Sequence, residues 1–145
     1  MGVGVVTSNA NDPTRVSLWP WVYVIAAVYF ALHLITSTRY GYFRDALYYL
    51  ACSEHLAAGY VDQPPMIALL GWFTKHTLGT SLPALLFWPA LAGALRIVLT
   101  AAFARELGAQ RFGTVLAAAL AATPAVWWVI DHQFAMNAFE PLLWG

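Results

Sequence analysis

Three apolar runs, roughly 18–36, 82–104 and 112–130, each hold close to the ~20 residues that a helix needs to cross a hydrocarbon core. Inside lipid a backbone must satisfy its own hydrogen bonds, so uninterrupted runs of this length read as helices. Scarcity of charge tightens the constraint. Asp, Glu, Lys and Arg make up 10% of the 145 residues, against 61% hydrophobic, where a soluble domain carries about 25% charged residues. The expected protein is an integral membrane protein, all-α and polytopic, with three full spans.

The flanks of the runs fit that reading. Trp19, Trp21 and Tyr23 open the first, and Tyr40, Tyr42 and Phe43 follow it, as in the aromatic belts of membrane interfaces. Residues 1–17 are small, polar and contain Pro13, and read as a disordered tail. Asp12 and Arg15 are their only charges, which does not make the basic n-region of a signal peptide, so the first run is expected to persist as an uncleaved span. The second and third runs are joined by a tight basic turn from Arg105 to Arg111, and Ala117-Ala118-Ala119 in the third favours close helix approach. Asp131-His132-Gln133 ends the third run, and these two ionisable groups are expected to face headgroups. From Asn137 to Trp144 a fourth span begins, within which the sequence stops at Gly145. The chain is therefore expected to be the N-terminal part of a larger polytopic protein.

Charge excludes some functions. Seven basic and seven acidic residues cancel, and no clustered Lys/Arg face offers a nucleic-acid footprint. Cys52, the single cysteine, reads as a small apolar filler, and no Cys/His spacing matches a structural zinc site. Arg96 lies inside the second run and is expected to snorkel toward its basic end. His33, inside the first run, is expected to hydrogen-bond between packed helices.

Residues 38–81 are of another kind. They hold Arg39, Arg44, Asp45, Glu54, His55, Asp62, Lys75 and His76, too polar to cross a membrane. They are also too apolar for a free loop, and 47–58 and 66–78 both read as helices. Pro64-Pro65 separates the two, because proline disfavours helix in the residue before it and suits the first turn after it. Two helices lying at the interface with a Pro-Pro elbow between them are expected. Ionisable groups beside a bilayer are functional candidates by default.

The segment Tyr42-Phe43-Arg44-Asp45-Ala46-Leu47-Tyr48-Tyr49-Leu50-Ala51, with Gly59-Tyr60-Val61-Asp62-Gln63-Pro64-Pro65 after it, resembles bacterial members of glycosyltransferase family 39. These are the dolichyl-phosphate-mannose protein mannosyltransferases and their polyprenyl-phosphate-sugar relatives. The order of elements is similar too: span, long external loop, Pro-Pro, span, short basic turn, span. The resemblance covers about residues 18–145, a third or less of such an enzyme. It implies a GT-C-like fold, with three full spans and part of a fourth here and two interfacial helices in the first external loop. It further implies transfer of a sugar, mannose-type or similar, from a polyprenyl-phosphate donor to a hydroxyl of a protein, lipid or glycan. Transfer would proceed with inversion on the non-cytoplasmic side of the cell membrane.

Residue by residue, Asp45 matches the family's acid in the first external loop, which acts as or assists the general base. Asp62-Gln63-Pro64-Pro65 matches an elbow that contacts donor phosphate or a metal in aminoarabinose-transferring relatives. The resemblance thus implies Asp45 as catalytic and Arg44, Tyr48, Asp62, Gln63, Asn137 and Glu140 as substrate-binding, with a divalent metal as an open option. Ala46 departs from relatives that carry an acid there, and neither Asn137 nor Glu140 aligns firmly with the acid that opens their fourth span.

The residue types suit the chemistry. A carboxylate near the acceptor hydroxyl can take its proton, and cationic or hydrogen-bonding groups must stabilise the departing phosphate. Arg39, Arg44, Lys75, His76 and Gln63 are the local supply. Plainer readings stand beside these: Asp45 as a helix N-terminal acid, Asp62 as the shaper of an Asx turn, Glu54 and His55 as solvated surface groups. Charge alone ties on orientation, with Arg15, Arg105 and Arg111 on one side and Arg39, Arg44 and Lys75 on the other. The resemblance puts the tail in the cytoplasm and 38–81 outside. Three spans cannot enclose both donor and acceptor, so the 145-residue chain alone is expected to be inactive. The alternative is a non-catalytic small helical membrane protein, or a degenerate remnant of such an enzyme.

Overall fold

The computed structural model describes residues 19–39 and 41–144; the tail expected over 1–17 lies outside them. Every regular element among the described residues is helical. They are α1 (Trp19–Thr36), a 3-10 turn (Ser37–Arg39), α2 (Arg44–Glu54), α3 (Met66–Thr77), α4 (Leu82–Glu106), α5 (Arg111–Ala122), α6 (Ala125–Ile130), a second 3-10 turn (Met136–Ala138) and α7 (Glu140–Trp144). Two stretches, Trp19–Arg39 and Leu82–Glu106, are long and apolar enough to cross a membrane.

The two helices between α1 and α4 start and stop for local reasons. Extended Phe43 offers its carbonyl to the amides of Ala46 and Leu47 at 3.0 and 3.4 Å, so α2 begins at Arg44. That is three residues before the expected start, and it puts Asp45 in the first turn, where a carboxylate complements the helix dipole. At the other end the Tyr60 hydroxyl lies 2.9 and 3.0 Å from the carbonyls of Cys52 and His55, which closes α2 at Glu54 rather than at 58. Pro65 caps α3 from outside, its carbonyl accepting from Leu69 N at 2.9 Å. Its missing N–H costs nothing at a helix start. Gly108, at φ +91°, ends α4, a backbone conformation that glycine adopts without a Cβ clash.

The expected third span is not one helix. Pro124 adopts an extended ψ of 126° and divides it into α5 and α6. Proline has no N–H to give the carbonyl four residues back, and α5 at 12 residues is only ~18 Å long by helical rise, short of a ~30 Å core. The carbonyls released at the break find other donors. Ala121 O accepts from Arg96 Nη1 at 3.1 Å and Ala122 O from the Trp128 indole at 2.8 Å. Backbone freed at membrane depth is tolerated when side chains take it up in this way.

Two cores meet along α4. Its C-terminal half packs Ala94, Ile97 and Ala101 against Val22, Ala26 and Tyr29 of α1 and Ala118 of α5, small residues letting the backbones approach. Its N-terminal half packs Leu85 and Leu86 against Ala46 and Tyr49 of α2, Ile67 of α3, and Phe134 and Ala135. Helices α2 and α3 are thus fastened to α4 rather than free. Trp88 Nε1 donates to Thr74 Oγ1 at 2.7 Å, and the Tyr42 hydroxyl donates to Thr80 O at 2.7 Å.

Candidate functional site

The acidic-aromatic segment folds into a compact corner. Asp45 sits in the exposed first turn of α2 beside Arg44, whose Nε is 3.5 Å from Asp45 Oδ1 and whose side chain is 93% exposed. One turn on, the Tyr48 hydroxyl donates to Asp62 Oδ1 at 2.8 Å and ties the elbow to α2. That bond, with lesser help from burial and the Cys52 side chain, raises the Tyr48 phenol well above its usual range. Tyr49, next along, is also raised, first by burial and then by the charges of Asp45 and Asp62. Asp62 thus bears on both tyrosines, and Asp45 on Tyr49.

Other expected site residues do not join them. Gln63 is 6% exposed, and its amide donates toward Cys52 Sγ at 3.6 Å, so it braces the elbow from inside instead of facing a phosphate. Cys52 is the buried filler expected, with this added polar contact. Asn137 and Glu140 are exposed, and among the described residues neither has a hydrogen bond or ion pair to Asp45 or Asp62. Lys75 and His76 lie at the far end of α3 from the elbow, about 15 Å away by helical rise. Lys75 Nζ is engaged by Glu54 Oε1 at 2.6 Å, and that hydrogen bond lowers the Glu54 carboxyl below its usual range. Glu54 is exposed as expected, but it is one half of a bridge between α2 and α3. Arg44 is the cation at Asp45. Ala46 is 4% exposed and packed into the core.

The donor set does not fit a metal. No three His, Cys, Asp or Glu side chains converge among the described residues, and Asp62 has already committed an oxygen to Tyr48. What adjoins the elbow is apolar. A groove of about 560 Å³ runs from Pro64 and Pro65 along Met66, Leu69 and Phe73, and is closed by Trp88 of α4 and by Phe139.

A second cluster lies in the helix core, where sequence reasoning placed only a snorkelling arginine and headgroup-facing ends. Arg96 is turned inward. Its Nη2 lies 3.0 Å from Asp131 Oδ2, with the two side chains 9% and 1% exposed. The Tyr29 hydroxyl donates to the same oxygen at 2.6 Å, and the guanidinium stands 4.2 Å over the Trp127 ring. Gly93 makes room for this: a Cβ there would collide with Asp131 Oδ2 and lie 2.8 Å from Tyr29 Cε1. His33 bonds within its own helix, Nδ1 to Tyr29 O at 3.0 Å, and stacks between Trp128 and His132 at 4.6 and 4.3 Å. It packs helices together as expected, though by ring contact rather than by a bond across them. The sequence did hold a signal: opposite charges in two separate apolar segments, each too expensive to leave alone in lipid.

No protein-family model, curated protein or solved structure matches the chain.

Proposed function

We propose that this chain belongs to a multi-pass membrane glycosyltransferase that takes its sugar from a polyprenyl phosphate. The observation that carries the reading is the corner itself: Asp45 and an Asp62 tethered by Tyr48 both bear on Tyr49, and an apolar groove begins at the adjoining Pro64-Pro65. A lipid-linked sugar needs both halves, an acyl-compatible channel and polar groups at its mouth. In the reaction Asp45 takes the proton of the acceptor hydroxyl, whose oxygen bonds to the anomeric carbon as the bond to the lipid phosphate oxygen breaks. Arg44 supplies positive charge near the departing phosphate. Tyr48 fixes the direction of the Asp62 carboxylate.

A photoreactive isoprenyl phosphate tests the reading directly. Incubated with the purified chain in micelles, it is expected to crosslink to Met66, Leu69, Phe73 and Trp88. Labelling spread evenly over the outward faces of α1 and α5 would refute the groove as a donor site.

The same reading places residues 38–81 on the non-cytoplasmic face and the Arg105–Arg111 turn in the cytoplasm, short Arg-bearing loops carrying most weight in orientation. Gly59 and Gln110 are both exposed. In a Cys52→Ser background, Gly59→Cys is expected to react with an impermeant maleimide from outside and Gln110→Cys only after permeabilisation. The reverse pattern would overturn the orientation.

The runner-up, a non-catalytic helical membrane protein, draws on buried Ala46 and on the separation of Asn137 and Glu140 from Asp45. It predicts no preferred crosslinking at the groove.

A further inference from the structure

Trp88 forms one wall of the apolar groove, and three contacts hold it in place. Its indole N–H donates to Thr74 Oγ1 at 2.7 Å. Thr74 is fully buried, and its own hydroxyl hydrogen goes to Leu70 O at 2.7 Å, so the oxygen is there to accept. Phe73 and Phe87 both meet the indole edge-on, with ring centroids 5.9 and 5.1 Å away. Turning the indole aside would break these contacts and leave its N–H in apolar surroundings without a partner. The wall is fixed.

The groove also has a definite length. Met66, Leu69, Leu70 and Phe73 line it at the i, i+3, i+4, i+7 spacing of one helix face. The next positions on that face of α3 are the exposed His76 and Thr77, so the face turns polar one turn after Phe73. Beside them Lys75 is engaged by Glu54. The elbow end is polar too, through Asp62 and Tyr48. From Pro65 to Thr74, where the indole is anchored, the helix advances ~14 Å by its rise per residue. An extended isoprene unit has four main-chain carbons, which advance ~5 Å with bonds of ~1.5 Å. About three such units fill the distance between the elbow and the indole. A hydrocarbon with a polar head at one end matches this pattern of polarity: head at the elbow, tail along Met66 to Phe73.

We propose that Trp88, pinned by Thr74, is a stop that limits how much of the donor lipid this site reads, a proposal that rests on the donor-site reading above. The isoprene units next to the phosphate, about three of them, lie along α3. At the indole the tail turns out into the bilayer. Beyond the stop it gains nothing by staying on the protein, because lipid tails are as apolar as leucine. The site therefore selects a polyprenyl phosphate by its phosphate-proximal units and is indifferent to total chain length.

The test uses three pentaprenyl phosphates carrying a diazirine on the first, third or fifth unit from the phosphate, each crosslinked to the 145-residue chain in bilayer nanodiscs. In the wild type the first-unit diazirine is expected to label Pro65 and Met66, and the third-unit one Phe73 and Trp88. The fifth-unit one should label bilayer lipid with no preferred residue. Trp88→Ala removes the wall, so fifth-unit labelling of Thr74, His76 and Thr77 should rise several-fold. Thr74→Val keeps the shape of its site and only unpins the indole, so it should raise the same labelling by less. The wild-type ladder and Thr74→Val decide the matter even where Trp88→Ala does not fold. Fifth-unit labelling of Phe73 and Trp88 as strong as third-unit labelling in the wild type, or fifth-unit labelling that stays in the lipid in Thr74→Val and in folded Trp88→Ala, would overturn the stop and leave the donor site standing. Even labelling over α1 and α5 from all three positions would overturn the donor site, and the stop with it.

Discussion

Arg96→Met is expected to cost about 3–5 kcal/mol of stability, the range found when one partner of a buried ion pair is removed. Arg96 holds four things at once: the Asp131 carboxylate, the Tyr29 hydroxyl, the carbonyl of Ala121 and the face of Trp127. Without it Asp131 is a buried anion with a single donor left. Asp131→Leu should be comparably harmful, because it strands a guanidinium in the helix core. Combining the two removes both charges, so the double variant should lose far less than the sum of the singles. The remaining deficit should approximate the unmet carbonyl at the α5 break and the Tyr29 hydroxyl left without its acceptor. Unfolding of all four proteins in mixed micelles closes the cycle. Strict additivity would show that Arg96 and Asp131 are held by packing and are not energetically coupled.

Whatever depended on neighbours along the chain was legible in the sequence. The apolar length of α1 and α4, the start of α3 after Pro65 and the turn at Gly108 follow from local composition and backbone rules. The break at Pro124 was equally local and was missed, because a run of alanine and aromatic residues averages out to a span whether or not a proline divides it. The misplacement of Arg96 is of another kind. Nothing near Arg96 in sequence says that Asp131, 35 residues on, will be folded back beside it, so the cheaper local option of snorkelling won. The site divides along the same line. Asp45 and Asp62 stand out by motif, and Tyr48 reaches Asp62 across only 14 residues. Gln63 was misjudged because its side chain points at Cys52, a matter of rotamer and burial that the Pro-Pro spacing does not encode.

Asp45→Asn is expected to reduce sugar transfer by ~10²–10⁴ in a longer chain that carries this segment and has activity, the usual worth of general-base assistance. The substitution is nearly isosteric, and Asp45 has its side chain 41% exposed with Arg44 as its ion-pair partner at 3.5 Å. Neither core loses a contact, so protein levels should hold. Glu54→Gln is the matched control: the same chemical change at the other end of the same helix, in a carboxylate whose partner is Lys75. It removes an exposed ion pair, which contributes little to folding, and should leave turnover within a few-fold. If Asp45 accepts the proton, its loss should appear in kcat more than in donor KM, since the carboxylate acts on the acceptor hydroxyl and not on the lipid. Asp62→Asn should behave differently, because Asp62 is tied to Tyr48 two residues before the Pro64 that begins the groove lining; it should raise donor KM. Transfer rates for the three variants at equal protein levels separate these roles. Equal and near-normal activity in Asp45→Asn and Glu54→Gln would reduce Asp45 to an acid that complements a helix dipole, and the catalytic reading of the corner would fall with it.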